Sequence, residues 1–341
     1  MHKAILITMM AALILQGCTN SQKRGEASIR INGLAQGTYY TVIYYDEKGR
    51  DLKGSIDSIL NDFDQTASLW VDSSLIRRVN ENKDSVVNDL FATLTTLSTE
   101  MNLYTGGAFD CTVGNLVKAW GFSFSDTVKI SDRIVDSLLQ YTGKQPVIVE
   151  RGNQKIVRKP SPNVTFDFNA IAQGYATDMI CLYLERKGIT DYIVDIGGEV
   201  RAKGQKADGS CWKVGVEKPA KQSDSQPEVQ TSIYLKDLSI VTSGNYRKYR
   251  EKDGVRYSHT IDPATGRPVE HTLLSVSVVD TTAWRADALA TAFMVMGLEK
   301  SLEFIEQHKE DQGMNAVYFI YNEDGENKTY STPGFDKLMS K

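Results

Sequence analysis

Residues 192–204 read YIVDIGGEVRAKG. Two short strands flank Gly197-Gly198, and a glycine pair is the turn chemistry that joins neighbouring strands antiparallel. The same pattern recurs outward from this hairpin. Val214–Val216, Ile233–Leu235 and Ser239–Thr242 read as short strands, with Pro219–Gln230 as a polar loop among them. Leu274, Val276 and Val278 alternate with Ser275 and Ser277, the pattern of a half-buried strand. Helical spacing appears elsewhere: Leu52, Ile56, Ile59, Leu60 and Phe63 form one set, and Leu90, Leu94, Leu97 and Met101 another. Hairpins with a few long helices predict an α+β fold of mostly antiparallel sheets with packed helices, rather than a doubly wound sheet.

The chain has 341 residues and a formal charge of −4. That length allows an ample core, and mild acidity argues against a nucleic-acid-binding body, which needs a basic face. The start, MHKAILITMMAALILQGC, is a targeting segment: His2 and Lys3, then an apolar stretch too short to span a bilayer. Leu15-Gln16-Gly17-Cys18 resembles a bacterial lipobox. It implies cleavage before Cys18 and lipidation of that cysteine. The expected organisation is a signal peptide at 1–17, a lipidated tether at 18–28 and one domain at 29–341. The body then lies outside the cytoplasm, tied to a membrane. Cys111, Cys181 and Cys211 remain, an odd number without metal-ligand spacing. They form neither a disulfide scaffold nor a zinc site. Cys181 falls in an apolar helical pattern and reads as core.

Two helices carry unusual content. One opens after FDFNAIAQGYATD, residues 166–178, with Asn169 able to cap it and Gly188 placed to end it. Gly174 within its early turns costs about 1 kcal/mol against Ala. Such a glycine points to close approach of a ligand or of another backbone. The other helix is RADALATAFMVMGLEK, residues 285–300. It is apolar almost all round from Ala286 to Leu298, so it should be buried. Asp287 is its lone ionisable residue there, and a buried lone carboxylate is costly without a partner. Thr291, four residues on, shares its face. Carboxylate plus hydroxyl suits a hard cation such as Mg²⁺. An ion pair of Asp287 with Arg285 or a distant lysine, and a Thr291 bond to its own helix, is the open alternative.

Two of the four histidines bracket HTIDPATGRPVEH, residues 259–271. Asp262-Pro263 and Gly266 are turn residues, so this is a hairpin. Its histidines are too far apart in chain and chemistry to pair on Mg²⁺. His271 reads as a packing or solvated residue.

Eight stretches in one order resemble the ApbE family of FAD:protein FMN transferases. They are GTYYTV (37–42), SLWVDSSLIRRVN (68–80), GGAFDCTVGNLVKAWGF (106–122), DFNAIAQGYATD (167–178), DIGGEVRAKG (195–204), TSGNYRKY (242–249), SHTIDPATGRPVE (258–270) and ADALATAFMVMG (286–297). The resemblance implies two interleaved subdomains forming one transferase unit. The implied reaction is Mg²⁺-dependent transfer of FMN from FAD to a Thr or Ser hydroxyl of an acceptor flavoprotein, with release of AMP. The implied acceptors are subunits of membrane redox complexes or other extracytoplasmic flavoproteins. The resemblance also implies the site. Asp287, Thr291 and the carbonyl of Ala170 match Mg²⁺ ligands, although Ala290 stands where some members carry a further aspartate. Gln36, Trp70, Phe109, Asp110, Cys111, Asp167, Gln173 and Ile261 match positions along FAD. Gln36 departs from a common Met, and Gln173 from Lys or Glu. His259 matches the histidine that would act as base or proton relay toward the acceptor hydroxyl. Mg²⁺-dependent hydrolysis of FAD, and FAD binding without catalysis, are the alternatives.

Overall fold

In this computed structural model, which describes residues 28–122, 130–219, 228–245, 249–252, 255–311, 314 and 316–339, the Gly-Gly hairpin lies inside one long antiparallel sheet. The signal peptide, Cys18 and nearly all of the tether lie outside the described residues, as does most of the 219–230 loop.

In chain order the elements are β1 (Ile29–Ala35), β2 (Thr38–Tyr44), α1 (Lys53–Ala67), α2 (Leu75–Asn80), β3 (Val86–Val87), α3 (Asp89–Tyr104), α4 (Gly114–Ala119), α5 (Asp132–Leu139), β4 (Val147–Arg151), β5 (Gln154–Arg158) and α6 (Asn169–Arg186). Next come β6 (Tyr192–Ile196), β7 (Glu199–Lys203), β8 (Trp212–Glu217), β9 (Val229–Leu235), β10 (Leu238–Gly244), β11 (Tyr249–Lys252), β12 (Val255–Ser258), β13 (Ile261–Asp262) and β14 (Arg267–Pro268). The last are β15 (Leu273–Asp280), α7 (Ala283–Gln307), β16 (Val317–Glu323), β17 (Glu326–Ser331) and α8 (Pro333–Asp336).

The main sheet has eight strands in the order β1-β2-β6-β7-β10-β15-β16-β17, each neighbour antiparallel. Side-chain alternation sets its two faces. Tyr40, Val42 and Tyr44 of β2 and Tyr192, Val194 and Ile196 of β6 join the core made with α1, α3, α6 and α7. The intervening Ile43 and Ile193, with Val200, Ile240 and Val279, pack against the β8–β9 hairpin and Phe335 of α8. Each buried aliphatic side chain contributes roughly 1.5–3 kcal/mol. A one-residue slip would turn both sets to the wrong face, so burial fixes the register. A third, smaller cluster ties Leu116 of α4, Val135 of α5 and Ile261 of β13 together.

The α+β reading holds, and Cys181 is fully buried. Three local expectations change. The strand at 273–280 is buried on both faces rather than half-buried, because it is central in the sheet; Ser275 and Ser277 are each 1% exposed. The Ser277 hydroxyl there pairs with that of Thr242 at 2.7 Å. Asn169 is the first residue of α6 and not its cap; its N–H donates to Asp167 Oδ1 at 2.9 Å, so Asp167 serves the helix start. The helix predicted at 285–300 runs from Ala283 to Gln307 and is kinked at Gly297, whose φ is 78°.

Candidate active site

Helices α6 and α7 cross with two rungs between them. At one, Gly174 N–H of α6 donates to Asp287 Oδ2 of α7 at 3.0 Å. At the other, Asp178 of α6 accepts the N–H groups of Ala283 at 3.0 Å and Trp284 at 2.9 Å. Gly174 is a glycine because of this crossing: an added Cβ would stand 2.4 Å from the Ala283 carbonyl oxygen and 2.8 Å from Asp287 Cβ. The close approach read from the sequence is thus that of a backbone.

Asp287 is buried, and burial pushes its carboxyl up to about 7; the Gly174 N–H opposes that rise, and the charge of Asp178 adds to it. Arg285 does not pair with it. Arg285 pairs with Asp280 instead. Among the described residues no ion pair is made by Asp287, so the alternative of an Arg285 partner falls away. Thr291 faces Ser243 of β10, hydroxyl to hydroxyl, at 3.3 Å. The Gly174 N–H is the group that regular helix geometry pairs with the carbonyl of Ala170. Its bond to Asp287 brings that carboxylate to the α6 turn that begins at Ala170. Asp287 and Thr291 share a face of α7, and Ser243 adds a hydroxyl beside Thr291, so neutral oxygens stand near a buried, costly carboxylate. This donor chemistry fits a hard divalent cation. Among the described residues no group of three or more His, Cys, Asp and Glu gathers to hold a metal. One carboxylate with neutral oxygens is the set that Ala290, fully buried, leaves.

The β6–β7 turn closes over the same end of α6. Gly197 has φ 66°, and a Cβ on it would meet Thr38 at 2.6 Å and Gln173 Nε2 at 2.7 Å. Gln36 forms the adjoining β1–β2 turn at φ 53°, with both amide atoms buried and unpartnered among the described residues. On the other side, Asp167 N–H donates to the Cys111 carbonyl at 2.8 Å. Burial pushes the Asp167 carboxyl up to about 6, against the Asn169 N–H. Phe109 and Cys111 are 1% exposed and face the core, and burial raises the Cys111 thiol. What that stretch can offer a ligand is backbone and the Asp110 carboxylate, whose Oδ2 is buried without a hydrogen-bond partner among the described residues. Trp70, by contrast, is 59% exposed and is no core residue.

From Cys111 the chain enters α4, which packs on Ile261. The 261–268 hairpin turns as read: Asp262 accepts from Ala264 N–H at 2.8 Å, and Gly266 has φ 68°. Trp120 Nε1 donates to the Gly266 carbonyl at 2.8 Å. His259 lies at its foot, edge to face with Phe122 at 6.4 Å. His271 has a separate role. Its Nε2 meets the Met294 carbonyl at 2.7 Å while Nδ1 accepts Leu273 N–H at 3.3 Å, so Nε2 carries the proton. It fills the kink at Gly297.

Sequence reasoning assigned no role to Asp178 and did not connect Ser243 to Thr291. Asp178 carries a signal of its own kind: it is a lone carboxylate in the apolar run from Ile171 to Leu184. The strand read at Ser239–Thr242 runs on to Gly244 as β10 and so carries Ser243.

An antiparallel sheet backed by crossed helices is a fold that this chain shares with solved flavin transferases. The fold superposes on "Flavin Transferase ApbE from Vibrio cholerae" with a TM-score of 0.78, at 33% identity over 92% of this chain and 99% of that one. It superposes on the apo form of the Pseudomonas stutzeri flavinyl transferase ApbE with a TM-score of 0.79, at 33% identity over 92% of this chain and 97% of the other. In sequence, the FAD:protein FMN transferase of Vibrio cholerae is 34% identical over 98% of this chain and 99% of its own length. That of Escherichia coli is 33% identical over 97% and 96%. The ApbE family model matches residues 36–317. This chain belongs to the ApbE family.

Proposed function

We propose that this enzyme transfers FMN from FAD to a Thr or Ser hydroxyl of an acceptor flavoprotein. The acceptor oxygen forms a bond to the FMN phosphorus, the bond from that phosphorus to the bridging pyrophosphate oxygen breaks, and AMP leaves with that oxygen and its electron pair. The full-length likeness to FAD:protein FMN transferases supports transfer of flavin from FAD to protein. The observation that carries the finer reading is the buried, cation-seeking Asp287 set beside Thr291 and the Ala170 turn.

Asp287, Thr291 and the Ala170 carbonyl would hold Mg²⁺, with Ser243 supporting the Thr291 hydroxyl. The ion would neutralise phosphate charge as it develops. The protein's own groups do the rest. Gly197, Thr38 and Gln173 crowd together near the start of α6, where glycine lets backbone approach a ligand. Gln36, Asp110, Asp167 and exposed Trp70 bind and orient FAD. Phe109, Cys111 and Ile261 contribute mainly by shaping the wall behind it. His259 takes the proton from the attacking hydroxyl, a transfer that suits an imidazole.

The lipobox-like segment supports a lipid-anchored protein at an extracytoplasmic membrane face, where a flavoprotein subunit of a membrane redox complex could be met. Among the described residues no helix is long and apolar enough to cross a membrane. The test is incubation with FAD, Mg²⁺ and an acceptor flavoprotein domain. AMP release that requires the acceptor, with FMN attached to it, is expected. Release of both FMN and AMP without acceptor would instead establish a hydrolase.

A further inference from the structure

Helix α7 carries Asp287 and Thr291, yet its own N-terminus does not hold it in place. Thr282 stands at the N-cap position and makes no side-chain bond to the first turn. The cap comes from another helix. Asp178 accepts Ala283 N–H on Oδ1 and Trp284 N–H on Oδ2, and Arg201 of β7 pairs with Oδ1. Both oxygens are thereby committed, and Asp178 is 5% exposed. A buried carboxylate is matched here by a helix N-terminus and a guanidinium together. The two rungs of the crossing are each four residues apart, Gly174 to Asp178 on α6 and Ala283 to Asp287 on α7. Moving the first rung therefore moves the second.

We propose that Asp178 is a positioning residue for the active site: it locks the first turn of α7 onto α6 and so sets where the Asp287 carboxylate stands. Arg201 neutralises it, so that Asp178 positions without ligating. The functional consequence rests on Asp287 holding a divalent cation; the positioning itself does not.

The experiment uses Asp178→Asn, which keeps the size of the side chain and removes its charge. Two readouts are taken without FAD. In metal-free protein, amide exchange at Gly174, Ala283 and Trp284 should speed up roughly tenfold, with β15 and β16 unchanged. Mn²⁺ affinity, followed by electron paramagnetic resonance, should fall about 10–100-fold, as for other residues that orient a ligand from behind. FAD affinity without metal should match wild type. Wild-type Mn²⁺ affinity in the variant overturns the proposal, even if its melting temperature falls, because that is a stability role alone. If the wild type itself binds no Mn²⁺, the metal reading of the site fails. Gly174 exchange then decides: unchanged exchange overturns the positioning role and faster exchange upholds it. Should Asp178→Asn not fold, Arg201→Gln, which leaves the carboxylate without its guanidinium, is read in the same way.

Discussion

Gly174 and Ala283 touch across the α6–α7 crossing so closely that a Cβ on Gly174 would stand 2.4 Å from the Ala283 carbonyl oxygen. Backbone atoms cannot step aside as the end of a side chain can. Gly174→Ala gains about 1 kcal/mol of helix propensity, and overpacking costs typically 1–3 kcal/mol or more. The clash should win. The variant is expected to unfold at lower urea concentration than wild type and to lose most flavin transfer, because the wedge also displaces Asp287.

Much of this was legible in the chain, for physical reasons. Gly197-Gly198 announces its hairpin because glycine takes the positive φ of both turn positions without steric cost. Asp287 and Thr291 share a face by helical spacing alone. Ser243 could not be assigned to Thr291, because that contact joins residues 48 apart through strand order. Ser275 and Ser277 look solvent-facing by alternation, yet they lie inside a central strand whose second face is covered by another layer. Asp178 hides in an apolar helix because its partners are backbone amides of a helix that begins more than a hundred residues later.

His271 plugs the break in α7. At Gly297 the helix turns to φ 78°, and the Met294 carbonyl is met by the imidazole Nε2–H rather than left to the helix. His271→Ala removes that donor and opens space at the kink. A cost of about 1–3 kcal/mol is expected from the unsatisfied carbonyl. Flavin transfer at saturating substrate should persist. Equilibrium denaturation checks the first point and an acceptor-labelling assay the second. Abolished transfer with unchanged stability would place His271 in the reaction instead.

Asp287 should make the metal-free protein less stable as pH rises. Burial pushes its folded carboxyl up to about 7, above the ordinary 3.8, so the folded state binds the extra proton between those limits. The stabilising contribution is full below about pH 4 and is lost as pH climbs through 7. Asp287→Asn carries no such proton. With chelator present, the stability of wild type minus that of Asp287→Asn should therefore fall between pH 4.5 and 8, by an amount on the order of 2–4 kcal/mol. Added Mg²⁺ should stabilise wild type more at pH 8 than at pH 5.5 and leave the variant unmoved. A flat difference across this range would mean that the carboxylate is better solvated than its burial implies.

His259 and Asp287 sit on different parts of the site, so their loss should separate in kinetics. His259 stands by Phe122 at the foot of the 261–268 hairpin, while Asp287 lies between α6 and α7. Removing a proton acceptor slows the chemical step by about 10²–10⁴-fold. Removing a group that only orients phosphate weakens substrate binding and raises KM. His259→Ala is expected to lower kcat for FMN transfer by that factor, with Mn²⁺ affinity and the KM for FAD close to wild type. Asp287→Ala should abolish Mn²⁺ binding together with turnover. The decisive measurement is a single-turnover transfer assay at saturating FAD and acceptor. If His259→Ala transfers FMN at the wild-type rate there, the base lies elsewhere; if only its KM for FAD rises, the histidine binds phosphate and moves no proton.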